Sequence, residues 1–364
     1  LASSEARLTV REQVPLAPFT TLGVGGPARW FSRAASSEDV RAADRWCRER
    51  GVAMTVLGGG SNLVIADEGI DALVLHVDVR GVEFQDGAGA TCVRAGAGEV
   101  WDVLVADAVS RDLAGVECLS GIPGTVGGTP VQNVGAYGQE VSRTIRDVVA
   151  FDRETADLVH LDAAGCGFGY RTSRFKGVDA DRFVICEVGY ELTRGEPTVT
   201  YPDLAAELAH QGLRSPRMRD VRSAVLTVRR RKGMVLDAGD PDTRSVGSFF
   251  MNPVVPMGLY RTLATADGPA PGFPLGDDRV KVPAAFLIER AGFAKGCTWG
   301  AVGLSTKHPL AIVNRGGATA REIVRVAREI KQRVHAQCGI WLLPEPTFAG
   351  FGQDPDLAFL QKAQ

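Results

Sequence analysis

Leu119-Ser-Gly-Ile-Pro-Gly-Thr-Val-Gly-Gly-Thr-Pro-Val-Gln-Asn-Val-Gly-Ala-Tyr-Gly138 holds six glycines in twenty residues and few charges. Loops this long and this rich in glycine are uncommon without a functional reason. Where side chains are absent, main-chain N–H groups can reach a flat or anionic ligand such as a diphosphate. Ser120, Thr125, Gln132 and Asn133 offer groups that can bond the edge of a heterocycle. The stretch follows a predicted helix from Val100 to about Val116, in which Trp101, Leu104, Val105 and Ala108 fall on one face.

A second glycine loop lies upstream. Leu57-Gly-Gly-Gly-Ser-Asn-Leu-Val-Ile65 follows a predicted strand, Ala53 to Leu57. It is not a P-loop, because no Gly-Lys-Ser/Thr follows. It is not a Rossmann fingerprint either, because Ile70 to Val77 reads as strand where that fingerprint needs a helix. Taken alone, the loop reads as a sharp turn needing φ > 0 or as a second backbone approach to phosphate. Before it come a strand, Ala28 to Phe31, and a helix from Ser36 to about Arg50. Ser36 or Ser37 caps that helix, and Glu38 and Asp39 suit its positive end.

Downstream of the long loop, Val148 to Leu161 reads as a β-hairpin around Asp152 to Asp157, and Phe183 to Leu192 as a further strand, so the middle of the chain is α+β. Beyond about Leu236 the character changes. Asp237-Ala-Gly-Asp-Pro-Asp242 and a Pro/Gly-rich stretch from Pro253 to Pro274 mark a domain boundary. The last long helix is the clearest element: Thr319-Ala-Arg-Glu322 is a capping box, Ile323, Ala327, Ile330 and Val334 form a buried stripe, and Gly339 is the stop.

The whole sequence has 364 residues, 45% of them hydrophobic and 23% charged, which suits a soluble protein with one large core or two or three smaller ones. A formal net charge of -2 supplies no global field for nucleic acid or an anionic membrane. Seven cysteines without a C-x-x-C pair argue against a disulfide framework or zinc site, and the five histidines have no metal-ligand spacing. The expectation is a protein with no metal, no nucleic-acid partner and a reducing cytoplasmic setting. Leu1 to Glu12 is polar and no apolar run approaches ~18 residues, so neither export nor membrane insertion is indicated. No histidine lies in either glycine loop, which counts against a histidyl-linked cofactor.

Four further motifs carry candidate chemistry. Gly169-Tyr-Arg-Thr-Ser-Arg-Phe175 sets Arg171 beside an aromatic and between small residues. Arg229-Arg-Arg-Lys-Gly233 ends a helix that begins near Asp220. It reads either as C-terminal cations worth ~0.3–1 kcal/mol from the helix dipole or as a diphosphate clamp. Ser245-Val-Gly-Ser-Phe-Phe-Met-Asn-Pro253 puts the Ser248 hydroxyl in an apolar setting, where it needs a partner or a role, and it lacks the nucleophile elbow of hydrolases. Trp341-Leu-Leu-Pro-Glu-Pro346 fixes Glu345 between two prolines.

In this order, the segments resemble the UDP-N-acetylenolpyruvoylglucosamine reductase family. The resemblance runs from about Thr20 to Gly350 through LGGGSN at 57–62, SGIPGTVGG at 120–128, QNVGAYGQE at 132–140, YRTSRFK at 170–176, GSFFMNP at 247–253 and LPEP at 343–346. It implies an α+β protein with a two-subdomain FAD-binding fold of the vanillyl-alcohol-oxidase/PCMH type and a third α+β substrate-binding domain. The implied bounds are 1–79 for the first subdomain, completed by 338–364; 80–235 for the second; and 236–337 for the substrate domain.

Noncovalent FAD is then expected on Gly58, Gly59, Gly60, Ser61, Asn62, Ser120, Gly121, Ile122, Pro123, Gly124, Thr125, Gly127, Gly128, Asn133, Gly135 and Ala136, with NADPH as hydride donor. The resemblance assigns substrate contacts to Tyr170, Tyr201, Arg229, Lys232, Gly247, Asn252 and Lys281. Tyr201 marks the subclass with an extra substrate-covering segment. Lys281-Val-Pro-Ala-Ala-Phe-Leu-Ile-Glu289 departs from the family's Ala-Gly-Trp-Leu-Ile pattern at Ala285 and Phe286.

The implied reaction is the NADPH-dependent, FAD-mediated reduction of UDP-N-acetylglucosamine enolpyruvate to UDP-N-acetylmuramate, a step of peptidoglycan precursor synthesis, by a cytoplasmic monomer. Arg171 and Glu345 would stabilise the charge that develops on the substrate, and Ser248 would deliver the proton. Two alternatives stay open: an FAD-linked oxidase or dehydrogenase of another sugar or alcohol, and a catalytically silent UDP-sugar-binding protein.

Overall fold

Ser36 starts the first helix by accepting a hydrogen bond from the Asp39 N–H at 3.1 Å, and Gly51 ends it at φ +61°. This helix, α1 (Ser37–Arg50), carries the chain between strands of a four-stranded sheet. The sheet order is Arg11–Pro15, Pro27–Ala34, Ile70–Val77, Met54–Leu57. Ile70–Val77 pairs in parallel with both neighbours, and Leu73, Val74 and Leu75 are buried, as a strand covered on two faces requires. The computed structural model describes residues 8–264 and 268–363. The N-terminal reading over 1–7 lies outside them.

Contacts divide the chain into two units. The first comprises Leu1–Val14, Ala28–Gly60 and Ile70–Val235; the second comprises Pro15–Pro27, Ser61–Gly69 and Leu236–Gln364. The first unit also holds a large antiparallel sheet in the order Asp157–Asp162, Ile145–Asp152, Phe183–Arg194, Ala90–Gly96, Val82–Asp86, so the expected hairpin forms one side of it. Besides α1, its helices are α2 (Trp101–Ser110), α3 (Pro202–His210) and α4 (Met218–Arg231). Trp101, Phe151 and Tyr190 are fully buried in one core, while Leu204, Leu208, Val221 and Val225 form a smaller one between α3 and α4.

One expectation is corrected here. The helix read as reaching Val116 stops at Ser110, because Asp112 turns left-handed at φ +55° and Leu113–Ala114 joins Phe183–Arg194 as a short strand. Pairing with a distant strand and burying Leu113 outweigh helix propagation, and aspartate tolerates the turn better than most residues.

In the second unit the helices are α5 (Met257–Arg261), α6 (Ala284–Arg290), α7 (Ala320–Cys338) and α8 (Pro355–Gln361). The α7 start is the predicted capping box: Thr319 Oγ1 accepts from the Glu322 N–H at 3.1 Å, and the Glu322 carboxylate accepts from the Thr319 N–H at 2.8 Å. Asp67 adds a second cap, accepting from the N–H groups of Ala320 and Arg321. Ile323, Ala327, Ile330 and Val334 are fully buried, and each large aliphatic among them contributes ~1.5–3 kcal/mol. Thr347–Ala349 pairs in parallel with Leu63–Ile65. The segment after Cys338, expected to complete the first FAD-binding subdomain, thus meets N-terminal residues inside the second unit. The backbones there are so close that a Cβ on Gly350 would lie 2.1 Å from the Gly69 carbonyl oxygen. Among the described residues, no helix is long and apolar enough to cross a membrane.

Candidate active site

The two glycine loops of the first unit touch each other through backbone. A Cβ on Gly59 would lie 2.7 Å from Gly124 Cα, and one on Gly58 would lie 3.0 Å from Thr125 Oγ1. No side chain fits at Gly59. The start of α2 holds the longer loop from behind: the Trp101 N–H donates to the Gly124 carbonyl at 3.1 Å and the Val126 N–H to that of Glu99 at 2.8 Å. Buried aromatics hold it at its start and its middle, with Trp101 Nε1 donating to the Leu119 carbonyl at 3.2 Å and Tyr190 Oη bonded to Thr129 Oγ1 at 2.8 Å.

The Gly121 N–H donates to Asp102 at 2.6 Å, and Arg222 of α4 clamps the same carboxylate with two bonds of 2.5 and 2.9 Å. Burial works against the charged Asp102, but these bonds hold it below the usual carboxylate range.

This cradle fits the FAD that the sequence implies. Its walls are backbone, the α2 N-terminus carries the partial positive charge that suits a diphosphate, and Thr125 Oγ1 is buried with no hydrogen-bond partner among the described residues. A buried hydroxyl in that state costs free energy unless a ligand bonds it. Gly128 faces open space, with nothing within 4 Å of a Cβ placed there. Gly127 does not: its Cβ would strike Ala97 Cβ at 2.6 Å, so packing alone requires glycine. Ser120 and Asn133 were expected to bond a heterocycle's edge, and the structure turns both inward. Ser120 Oγ donates to the Glu117 carbonyl at 2.6 Å, and the Asn133 amide serves Gly169, Glu140 and Ser142. Ser61 and Asn62 belong to the second unit, where Asn62 Nδ2 donates to the Glu345 carbonyl at 3.3 Å.

Arg171 sits in a tight turn of the first unit, Gly169 to Thr172, at φ +55°. Its guanidinium donates to the Gly135 carbonyl at 2.6 Å and lies 5.6 Å from the ring centre of the exposed Tyr170. Nearby in sequence motif though not in role, Tyr137 gathers three residues assigned to substrate. Tyr201 meets it edge-on at 5.3 Å, and the Lys232 ammonium lies 6.0 Å from its ring centre while pairing with Asp203 at 2.7 Å.

Burial pulls the Lys232 amine down, and Asp203 and Tyr137 more than reverse this, so its pKa is raised. Arg229 is 9% exposed, donates to the Met234 carbonyl at 2.6 Å and leaves Nε without a partner among the described residues. Burial lowers its pKa, opposed by Tyr137 and Asp102. The sequence reading quoted Tyr137 without a role and passed over Asp102 and Arg222. The aspartate's place in the first turn of α2 was a signal, whereas nothing local points to an arginine 120 residues away.

In the second unit, Gly247 at φ +73° presents the half-buried Ser248, and the fully buried Phe249 and Phe250 that follow anchor it. Glu345 runs alongside, its N–H donating to the Phe249 carbonyl at 2.9 Å. Asn252 Oδ1 accepts from the Ala284 N–H at 2.9 Å and so caps α6, which leaves its amide nitrogen as the group to offer a ligand. Lys281 is on a strand opposite Val254, its ammonium 6.0 Å from the Phe273 ring centre. The departures Ala285 and Phe286 fall in the first turn of α6.

Comparison with known proteins covers both units. The sequence profile of the FAD binding domain matches residues 28–152, and that of the UDP-N-acetylenolpyruvoylglucosamine reductase C-terminal domain matches 240–349. The architecture is accordingly α+β, an FAD-binding domain of the PCMH/vanillyl-alcohol-oxidase type with that C-terminal domain. Among curated proteins, the chain is 49% identical to the UDP-N-acetylenolpyruvoylglucosamine reductase of Thermobifida fusca, across 93% of this chain and 97% of the relative. It is 46% identical to that of Mycobacterium tuberculosis, across 94% and 95%. The solved reductase from Thermus caldophilus aligns with a TM-score of 0.63 at 25% identity, covering 94% of this chain and 99% of that one.

Proposed function

This chain belongs to the UDP-N-acetylenolpyruvoylglucosamine reductase family, and from that premise we propose that it reduces UDP-N-acetylglucosamine enolpyruvate to UDP-N-acetylmuramate with NADPH, in peptidoglycan precursor synthesis. It is an FAD-dependent oxidoreductase. Bound FAD supplies the hydride relay between NADPH and the substrate double bond. Backbone N–H groups of Gly58, Gly59 and Gly60 and of Ile122, Gly124 and Thr125 would hold its diphosphate, with the Thr125 hydroxyl as an added donor. The functional division into 1–79 with 338–364, 80–235 and 236–337 is part of this proposal.

Reduction of an enolpyruvyl carbon leaves negative charge on the substrate carboxylate and the adjacent carbon. Arg171 offers a planar guanidinium that can bond a carboxylate through two parallel N–H groups. Ser248 delivers a proton to the carbon, a transfer that is downhill from a hydroxyl to a carboxylate enolate once geometry is fixed. Glu345 assists electrostatically. Tyr170, Tyr201, Arg229, Lys232, Gly247, Asn252 and Lys281 bind the substrate, with Tyr201 covering it as in the subclass that carries this tyrosine. The protein acts as a cytoplasmic monomer, which light scattering would check.

The observation that supports this reading over a general FAD oxidase is the backbone bond from the Glu345 N–H to the Phe249 carbonyl, which ties the segment that carries the carboxylate to the residue after Ser248. An alcohol oxidase has no use for a proton donor to carbon. The test is direct: purified protein should be yellow, and under anaerobic conditions it should oxidise NADPH over many turnovers only when the enolpyruvyl substrate is present. A protein that carries no flavin after gentle purification and binds none added back would sink the proposal.

A further inference from the structure

Arg171 occupies a backbone conformation that arginine rarely adopts. It is the third residue of the turn Gly169 to Thr172, closed by the Thr172 N–H donating to the Gly169 carbonyl at 3.4 Å, and its φ is +55°. Glycine or asparagine is the usual occupant of such a position, and another residue persists there only when its surroundings hold it. The same Gly169 carbonyl receives a second hydrogen bond, from Asn133 Nδ2 at 3.1 Å.

Asn133 is 2% exposed and is itself left-handed, at φ +48°. Its other amide proton goes to the Glu140 carboxylate at 3.1 Å, and its amide oxygen accepts from the Ser142 N–H at 3.1 Å. Glu140 in turn packs against Gly135, where a Cβ would lie 2.6 Å from Glu140 Cγ. Gly135 and Asn133 then meet the arginine again, their carbonyls accepting from its guanidinium at 2.6 and 3.5 Å. One asparagine therefore grips the turn through its side chain and the guanidinium through its main chain.

We infer that Asn133 is a positioning residue for Arg171: its side chain serves the reduction by fixing the turn that aims the guanidinium, not by touching the cofactor. The inference rests on the proposed role of Arg171. Because Asn133 reaches substrate only through that arginine, its removal should slow the step in which the arginine acts and leave the others alone.

The test is a double-mutant cycle read on separate half-reactions. Asn133→Gly keeps the left-handed backbone accessible and deletes only the side chain. It should bind FAD and be bleached by NADPH as the parent protein does, while reoxidation by UDP-N-acetylglucosamine enolpyruvate slows on the order of 10- to 100-fold, the scale of a misplaced catalytic group. In an Arg171→Lys background the same change should add almost nothing, since no positioned guanidinium remains. If Arg171→Lys alone turns over normally, the reading of Arg171 fails and this inference falls with it. If Arg171→Lys is impaired but the two losses multiply, or Asn133→Gly weakens FAD binding, Asn133 acts elsewhere and the inference is overturned. Asn133→Asp, which keeps the shape and inverts both donors, stands in if the glycine variant does not fold. Collapse of both variants would make Asn133 scaffold and overturn it too.

Discussion

The N–H of Glu345 donates to the carbonyl of Phe249 at 2.9 Å, and this bond is one rung of a short ladder between two conspicuous motifs. Phe250 and Pro344 form the neighbouring bridge, and the Met251 N–H donates to the Leu343 carbonyl at 2.9 Å. Ser248 precedes two phenylalanines that are fully buried, so the packing of those rings fixes its backbone. A change confined to that hydroxyl should leave the ladder intact.

Ser248→Ala should therefore separate the half-reactions. Flavin bleaching by NADPH should proceed close to the parent rate, whereas reoxidation by the enolpyruvyl substrate should slow by roughly 10²–10⁴-fold, the usual worth of a positioned general acid. Ser248→Cys should recover part of the loss, because a thiol also donates. Anaerobic stopped-flow absorbance resolves both steps, and equal slowing of the two would make Ser248 a packing or cofactor residue.

Gly127 and Gly128 should respond in opposite ways to valine. At Gly127 the added atoms meet Ala97, so the melting temperature should fall as for overpacking of ~1–3 kcal/mol. At Gly128 they enter open space, so stability should hold while FAD affinity drops. Melts of the apoprotein beside flavin titrations give the comparison. Full flavin retention in Gly128→Val would show that the cradle does not seat the cofactor.

Arg171→Lys keeps the charge and loses the planar fork. Turnover should fall on the order of 10–100-fold, about the worth of one charge-assisted hydrogen bond. Steady-state kcat with the enolpyruvyl substrate measures it, and a near-parental value would remove Arg171 from the chemistry.

Lys331 gives a pH dependence. Its ammonium is fully buried on α7 and donates to the carbonyls of Leu360 and Lys362 at 2.7 Å and of Phe359 at 3.2 Å, closing the end of α8. Burial pulls its pKa down from 10.5 to about 8. Between those values the unfolded chain holds a proton that the folded chain has released, so this group's contribution to stability rises with pH across that window. Lys331→Met should lose that rise and, by leaving carbonyls unsatisfied, cost ~1–3 kcal/mol. Urea unfolding on either side of the window would show the stability gap between parent and variant widening with pH. A constant or shrinking gap would contradict the assignment.

The sequence by itself determined the elements whose signals lie within a turn or two of each other. The capping box at Thr319 and Glu322, the stripe from Ile323 to Val334 and the stop at Gly339 specify α7 because caps and helical periodicity are local. The glycine loops were legible for the same reason: absent side chains are visible in the sequence itself. What only the tertiary structure decided involves partners far apart along the chain. Leu113 leaves the helix to pair with Arg194, Asp102 meets Arg222, and Lys331 is drawn inside to close α8. Arg171 takes a left-handed turn held by Asn133, and Gly127 owes its identity to Ala97. In each case local propensity leaves the choice open or points the other way. The balance is set by burial and by hydrogen bonds that exist only once distant segments have packed together.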